Sequence, residues 1–162
     1  MAEIVVFHHS LGHTDGVAGF AASLRQAGHT VHTPDLYEGR MFPDVACGVA
    51  HAEEVGFDTV IERGRVSVAG LGDDLVYAGF SLGVLPAQSL AQSRVGARGA
   101  LLYHGAVPPE MVGGYWPGGV PVQMHFMEDD PLAAEDLVAA RVLEAEVEAA
   151  ELHLYPGSGH LF

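Results

Sequence analysis

The sequence predicts an α/β fold, a mostly parallel sheet with helices on both faces. Three observations carry this expectation. Short, near-continuously apolar runs recur along the chain, helical patterns separate most of them, and chemistry-bearing polar residues gather just past the ends of the runs. Strands that are apolar on both faces need cover on both faces, and the intervening helices supply it.

The runs follow in order. Ile4 to Phe7 reads as the first strand, and Val17, Phe20, Ala21 and Leu24 then share one helical face before Gly28. Thr30 to Thr33 is the second strand. The segment from Pro43 to His51 is of mixed polarity, and its Cys47 reads as a packed or idle thiol rather than a nucleophile. Leu75 to Phe80 is the third strand, followed by a helical stripe of Val84, Leu85, Ala87, Leu90 and Ala91. Ala100 to Tyr103 is the fourth strand, and a long Pro/Gly loop, Val107 to Gly119, leads to the fifth, Val120 to Phe126. Asp136 to Ala150, rich in Ala, Glu and Leu, is a helix by propensity whose acids read as a solvated face. Leu152 to Tyr155 is a sixth strand.

Composition narrows the function. The 162 residues fit one domain, with no internal repeat or linker. The net charge is −14, from 21 acidic residues against seven basic ones, all arginine. Such a chain repels nucleic acid and anionic membranes. Without lysine it has neither a Schiff-base amine nor a Walker-type phosphate loop. A single cysteine, a start without a basic segment, and no apolar stretch of spanning length give the expectation of a cytoplasmic protein.

The most informative motif is Gly79-Phe80-Ser81-Leu82-Gly83, set between the third strand and a helical stripe. This is the pattern of a nucleophile elbow, in which a serine at the tip of a strained strand-to-helix turn is pushed into the open. Glycines flank it because strand and helix come close together. The N–H of Leu82, at the start of the helix, is available to a developing oxyanion. Asp129-Asp130 follow the fifth strand and His160 follows the sixth, giving the chain order Ser, Asp, His of α/β-hydrolases. Ligands of open parallel sheets bind outside the carboxyl ends of the strands. There the sequence places His8, His9, Ser10, Ser81, His104, Asp129, Asp130 and His160.

Several segments in this order resemble the dienelactone hydrolase family. They are Thr33-Pro34-Asp35-Leu36-Tyr37-Glu38-Gly39-Arg40 after the second strand, the elbow, His125-Phe126-Met127-Glu128-Asp129-Asp130, and Tyr155-Pro156-Gly157-Ser158-Gly159-His160-Leu161-Phe162. The resemblance implies an α/β-hydrolase with Asp130 rather than Asp129 as the acid and His160 as the base, and the length of the chain gives the expectation of no inserted lid domain. It implies a second oxyanion donor at the N–H of Ser10 or, with a one-residue slip, Leu11. It also implies a further C-terminal helix beyond the given chain, so residues 1–162 are expected to form one domain that lacks it. The chain departs from the family's type enzymes, which use a cysteine nucleophile and a glutamate in the first-strand loop. Here those positions hold Ser81 and His9.

Other readings compete. Ten histidines invite a metal site, but no His-x-x-x-His or His-x-His pairs with a carboxylate. Gly12, Gly16 and Gly19 lack the spacing that cradles a pyrophosphate. The expectation is therefore a serine hydrolase cleaving small carboxylic esters or lactones, without cofactor or metal. Its catalytic residues are Ser81, Asp130 and His160, and Leu82 and Ser10 form its oxyanion hole. His9, Leu11, Tyr37, Arg40, His104 and Trp116 are expected around the substrate. A non-catalytic ligand-binding or regulatory protein on the same fold is the alternative, and oligomeric state is left open.

Overall fold

A computed structural model describes residues 1–161; Phe162 of the histidine segment lies outside the described residues. The six strands are β1 (Glu3–Phe7), β2 (Thr30–His32), β3 (Leu75–Phe80), β4 (Gly99–Tyr103), β5 (Val122–Met127) and β6 (Ala150–Tyr155). They form one all-parallel sheet in the order β2-β1-β3-β4-β5-β6. The helices are α1 (Asp15–Gln26), α2 (Val45–Val55), α3 (Phe57–Ser67), α4 (Val84–Ser93) and α5 (Ala134–Glu146).

Side-chain alternation divides the core. Ile4, Val6, Val31 and Ala78 pack with Val17 and Ala21 of α1 on one face. Val5, Phe7, Leu75, Tyr77, Leu102, Met124 and Phe126 face α2 to α5 on the other. Both faces of β1 are thus dry, as its unbroken apolar run requires. Across β4 to β6 the α1 side carries a row of stacked rings, Tyr103 against His125 at 4.9 Å and His125 against His153 at 4.7 Å.

The expected strands all form, with shifts of a few residues at their ends. The last helix stops at Glu146 rather than Ala150, because Ala150 already begins β6. α2 starts in the segment of mixed polarity and α3 follows it. The carboxylate of Asp44 caps α2 by accepting from the Cys47 N–H at 2.8 Å, and Cys47 is exposed. The inward stripes of both helices are built from small residues, Gly48 and Ala52 in α2 and Gly64 beside Val60 in α3.

The Val107 to Gly119 loop is anchored rather than loose. Buried Gln88 of α4 donates to the Val107 carbonyl at 2.7 Å and accepts from the Val107 N–H at 3.1 Å. Gln92, one turn on, donates to the Pro109 carbonyl at 2.9 Å.

Two helical glycines should respond oppositely to alanine. Gly19 of α1 has open space around its missing β-carbon, so Gly19→Ala is expected to stabilise by about 0.5–1 kcal/mol through helix propensity. A β-carbon on Gly48 would collide with the Ser10 carbonyl group, 2.6 Å from its carbon, so Gly48→Ala is expected to destabilise by about 1–3 kcal/mol. Thermal unfolding of the two variants checks the pair, and a Gly48→Ala protein as stable as wild type would contradict that packing.

Candidate active site

The strand order reverses between β1 and β3, and the crevice at such a switch point is where open α/β sheets bind ligands. Ser81 stands there at φ 48°, in the left-handed region that a non-glycine residue rarely adopts. The turn Ser81–Gly83 leads directly into α4. Its glycines are required by contact. A β-carbon on Gly79 would lie 2.7 Å from the Val84 nitrogen, and one on Gly83 would lie 2.7 Å from the His8 carbonyl oxygen.

Past β5 and β6 the chain keeps pairing in register. The Glu128 N–H donates to the Tyr155 carbonyl at 2.9 Å and the Asp129 N–H to the Gly157 carbonyl at 3.0 Å. The acid and histidine loops therefore leave the sheet side by side. Asp130 is 4% exposed; its Oδ1 accepts from the Leu132 N–H at 3.0 Å, and its Oδ2 lies 2.6 Å from His160 Nδ1. An ionised carboxylate only accepts, so the proton sits on Nδ1, and Nε2 is left to accept from the Ser81 hydroxyl at 2.9 Å. Asp129 is exposed and takes no part in this chain of bonds.

Ser10 lies in a tight turn closed by the Gly12 N–H on the His9 carbonyl at 3.1 Å. Within it the Leu11 N–H donates to His9 Nδ1 at 3.2 Å. Ser10, Ser81 and Leu82 line one cavity of about 410 Å³. Most of its lining is apolar, with Val49, Phe57, Ile61, Met111 and Leu132 among it.

The remaining expected residues are dispersed. His9 and His104 line a smaller cavity of about 320 Å³ with Phe20 and Phe80. The His104 ring centroid lies 5.6 Å from that of His160. Burial first, then His8 at His9 and His160 at both, lowers His9 and His104 to about 4. Both rings are thus neutral at neutral pH.

Tyr37 does not reach the Ser81 cavity. It is 1% exposed, packed against His8, Phe42 and His51, with its hydroxyl donating to the Gly48 carbonyl at 3.2 Å. Arg40 lines a separate cavity with His13, Thr33 and Asp35. Trp116 belongs to the core and to an outer groove of about 840 Å³ against α5, where its indole N–H donates to the Val120 carbonyl at 2.7 Å. These three side chains serve the fold or other surfaces.

Asp136 was expected on a solvated helix face. Instead it is half-buried, lines the Ser81 cavity, and accepts from the Ala106 N–H. Burial pushes its carboxyl up to about 6. Among the described residues no three His, Cys, Asp or Glu side chains converge as a metal site would, and no helix is long and apolar enough to cross a membrane.

The family model for the dienelactone hydrolase family matches residues 1–162. The chain belongs to that family. Hydrolysis is therefore the activity class of the fold it carries. Among solved structures it is similar to a candidate dienelactone hydrolase from Klebsiella pneumoniae, at 19% identity and TM-score 0.75, over 100% of this chain and 76% of that one. It is also similar to a dienelactone hydrolase-like promiscuous phosphotriesterase from metagenomic libraries, at 18% identity and TM-score 0.76, over 100% and 72%. A cold-adapted esterase from an Arctic intertidal metagenomic library aligns at 19% identity and TM-score 0.68, over 97% and 74%. No curated protein matches.

The buried rings should make stability fall in acid. His9 and His104 bind protons near 6.5 when unfolded and at about 4 when folded, and burial lowers His8 as well. Between those values the unfolded chain holds more protons, so stability rises with pH. Asp136 opposes this with a single proton, since its folded value of about 6 lies above the unfolded 3.8. Burial lowers His125 too, and the urea midpoint is expected to drop between about pH 7 and about pH 4.5 with a net slope of roughly one to three protons. A midpoint that stays level or rises over that interval would contradict the neutral, buried rings.

Proposed function

We propose that the chain is a serine hydrolase that cleaves small carboxylic esters or lactones through an acyl-enzyme. The observation that carries this reading is the continuous bond path from the Ser81 hydroxyl through His160 to Asp130, at 2.9 and 2.6 Å. His160 Nε2 takes the proton as Ser81 Oγ attacks the acyl carbon, and Asp130 stabilises the imidazolium that results. The Leu82 and Ser10 N–H groups bind the oxyanion. Collapse of the tetrahedral adduct breaks the bond to the alcohol oxygen, which receives the proton from His160. Water then attacks the acyl-enzyme by the same route, releasing the acid and restoring Ser81.

Cavity shape favours small substrates. About 410 Å³ beside Ser81, walled by side chains of α2, α3 and the anchored 107–112 loop, suits a short acyl chain. Turnover of p-nitrophenyl butyrate is expected to exceed that of the palmitate ester.

A fluorophosphonate is expected to add one label to the wild type and none to Ser81→Ala, read by intact mass. Equal labelling of both would move the nucleophile elsewhere, and no labelling or turnover in either would favour the non-catalytic binding protein. Asp130→Asn is expected to lower kcat by about 10⁴ through the wrong imidazole tautomer, with Asp129→Asn far milder. Equal losses in the two variants would overturn the assignment of the acid.

A further inference from the structure

The cavity beside Ser81 carries charge of one sign only. Its charged lining side chains are Asp58, exposed at the rim on the first turn of α3, and Asp136, half-buried on the first turn of α5. Asp136 lies beside the Ser81 backbone. A β-carbon built on Gly105 would lie 3.1 Å from Asp136 Oδ2 and 3.3 Å from the Ser81 carbonyl oxygen, so a single methyl-sized volume separates the two residues.

Among the described residues no arginine lines this cavity. The chain has seven arginines and no lysine. Arg25 and Arg94 are spent on backbone carbonyls at 2.6 and 2.8 Å, and Arg63 on the Leu36 carbonyl at 2.7 Å. Arg65 and Arg98 pair with Glu62 and Asp74. Arg40 lines another cavity, and Arg141 is not part of the Ser81 cavity wall. A second, independent polar group waits on the same wall. Ser10 is 2% exposed, and its hydroxyl has no hydrogen-bond partner among the described residues. A buried hydroxyl left unpaired is destabilising, and a polar ligand atom in the cavity would relieve it.

We propose that this cavity selects esters bearing a cationic group, with Asp136 as the counter-charge, and disfavours esters bearing a carboxylate. The proposal rests on the serine hydrolase reading and names its substrate class. The charge of the whole chain, −14, acts in the same direction on approach. The groups facing Asp136 are the Ala106 N–H, His160, Asp130 and Glu135, with Asp58 across the cavity and Glu110 and Glu146 along the outer groove. Apart from His160 they add negative charge or a hydrogen bond and supply no fixed cation.

The test uses three p-nitrophenyl esters: 4-(trimethylammonio)butanoate, its uncharged isostere 5,5-dimethylhexanoate, and hydrogen glutarate. For the wild type, kcat/KM of the cation over the isostere is expected to be about tenfold or more, and the glutarate is expected to be the poorest. Because all three share Ser81 and His160, their ratios cancel the ionisation of the base and any general loss in a variant. The cation preference is expected to fade as pH drops through about 6, where Asp136 takes up its proton. In Asp136→Asn the ratio is expected to approach one and to lose that pH dependence, whereas Asp58→Asn keeps both. A purely structural Asp136, holding only the Ala106 N–H, would change all three esters alike. A ratio near one in the wild type, or one unchanged in Asp136→Asn, overturns the proposal while leaving the hydrolase reading intact. If no ester is turned over, the hydrolase reading fails. Calorimetric binding of choline against 3,3-dimethylbutanol then decides the charge selection: choline binding that weakens in Asp136→Asn supports it, and equal binding or none overturns it.

Discussion

The backbone of the turn after β3 lies against the last carbonyls of β1, and the positions of the reacting groups follow from that contact. Gly83 has no room for a β-carbon beside the Phe7 and His8 carbonyls, and Gly79 has none beside the start of α4. The chain can then reverse from strand to helix only if Ser81 takes a left-handed conformation, at a cost of order 1–3 kcal/mol. Burial of α4 offsets that cost. Val84, Ala87, Leu90 and Ala91 all enter the core, and Pro86 sits in the first turn, where a missing N–H costs nothing.

Polar groups crowd this edge of the sheet, and the fold settles most of them by keeping histidines neutral. His8 is fully buried; its Nδ1–H donates to the His9 carbonyl at 2.7 Å and its Nε2 accepts from the Leu36 N–H at 2.9 Å. An imidazolium there would lack an acceptor function toward Leu36, so burial and hydrogen bonding favour the same protonation state. His9 and His104, lowered by burial on the other side of His160, present uncharged rings to it. His160 is therefore bonded to one carboxylate, Asp130, and meets no cation from these two histidine neighbours.

Much of this was legible in the sequence because each signal was local. Apolar runs, the glycines around Ser81, and the spacing of Asp130 and His160 after their strands needed no knowledge of packing. The two middle helices were not legible, since their buried faces hold only Gly48, His51, Ala52, Val60 and Gly64, while Val49 and Phe57 are exposed. Small residues give no hydrophobic period. Tyr37, Arg40 and Trp116 looked like pocket residues because aromatic and charged side chains in loops often are, yet two found the core and the third another cavity. Asp136 carried a signal that went unread. It shares a helical stripe with Ala140 and Leu143, both buried, so its place on the inward face was implied by the 3.6-residue period.

The three bonded residues come from two separate parts of the sheet. Asp130 and His160 ride on loops that prolong the β5–β6 pairing, joined by the Glu128–Tyr155 and Asp129–Gly157 backbone bonds. Ser81, Leu82 and Ser10 belong to the β1–β3 crevice and are locked by backbone contact. Asp130 and His160 are thus held to each other, and Ser81, Leu82 and Ser10 are held together separately. One hydrogen bond, 2.9 Å between His160 Nε2 and Ser81 Oγ, spans the gap between them. β6 is an edge strand paired only to β5, so displacement at that edge would stretch the Ser81 bond first, while the 2.6 Å bond between His160 and Asp130 moves with the loops that carry both residues.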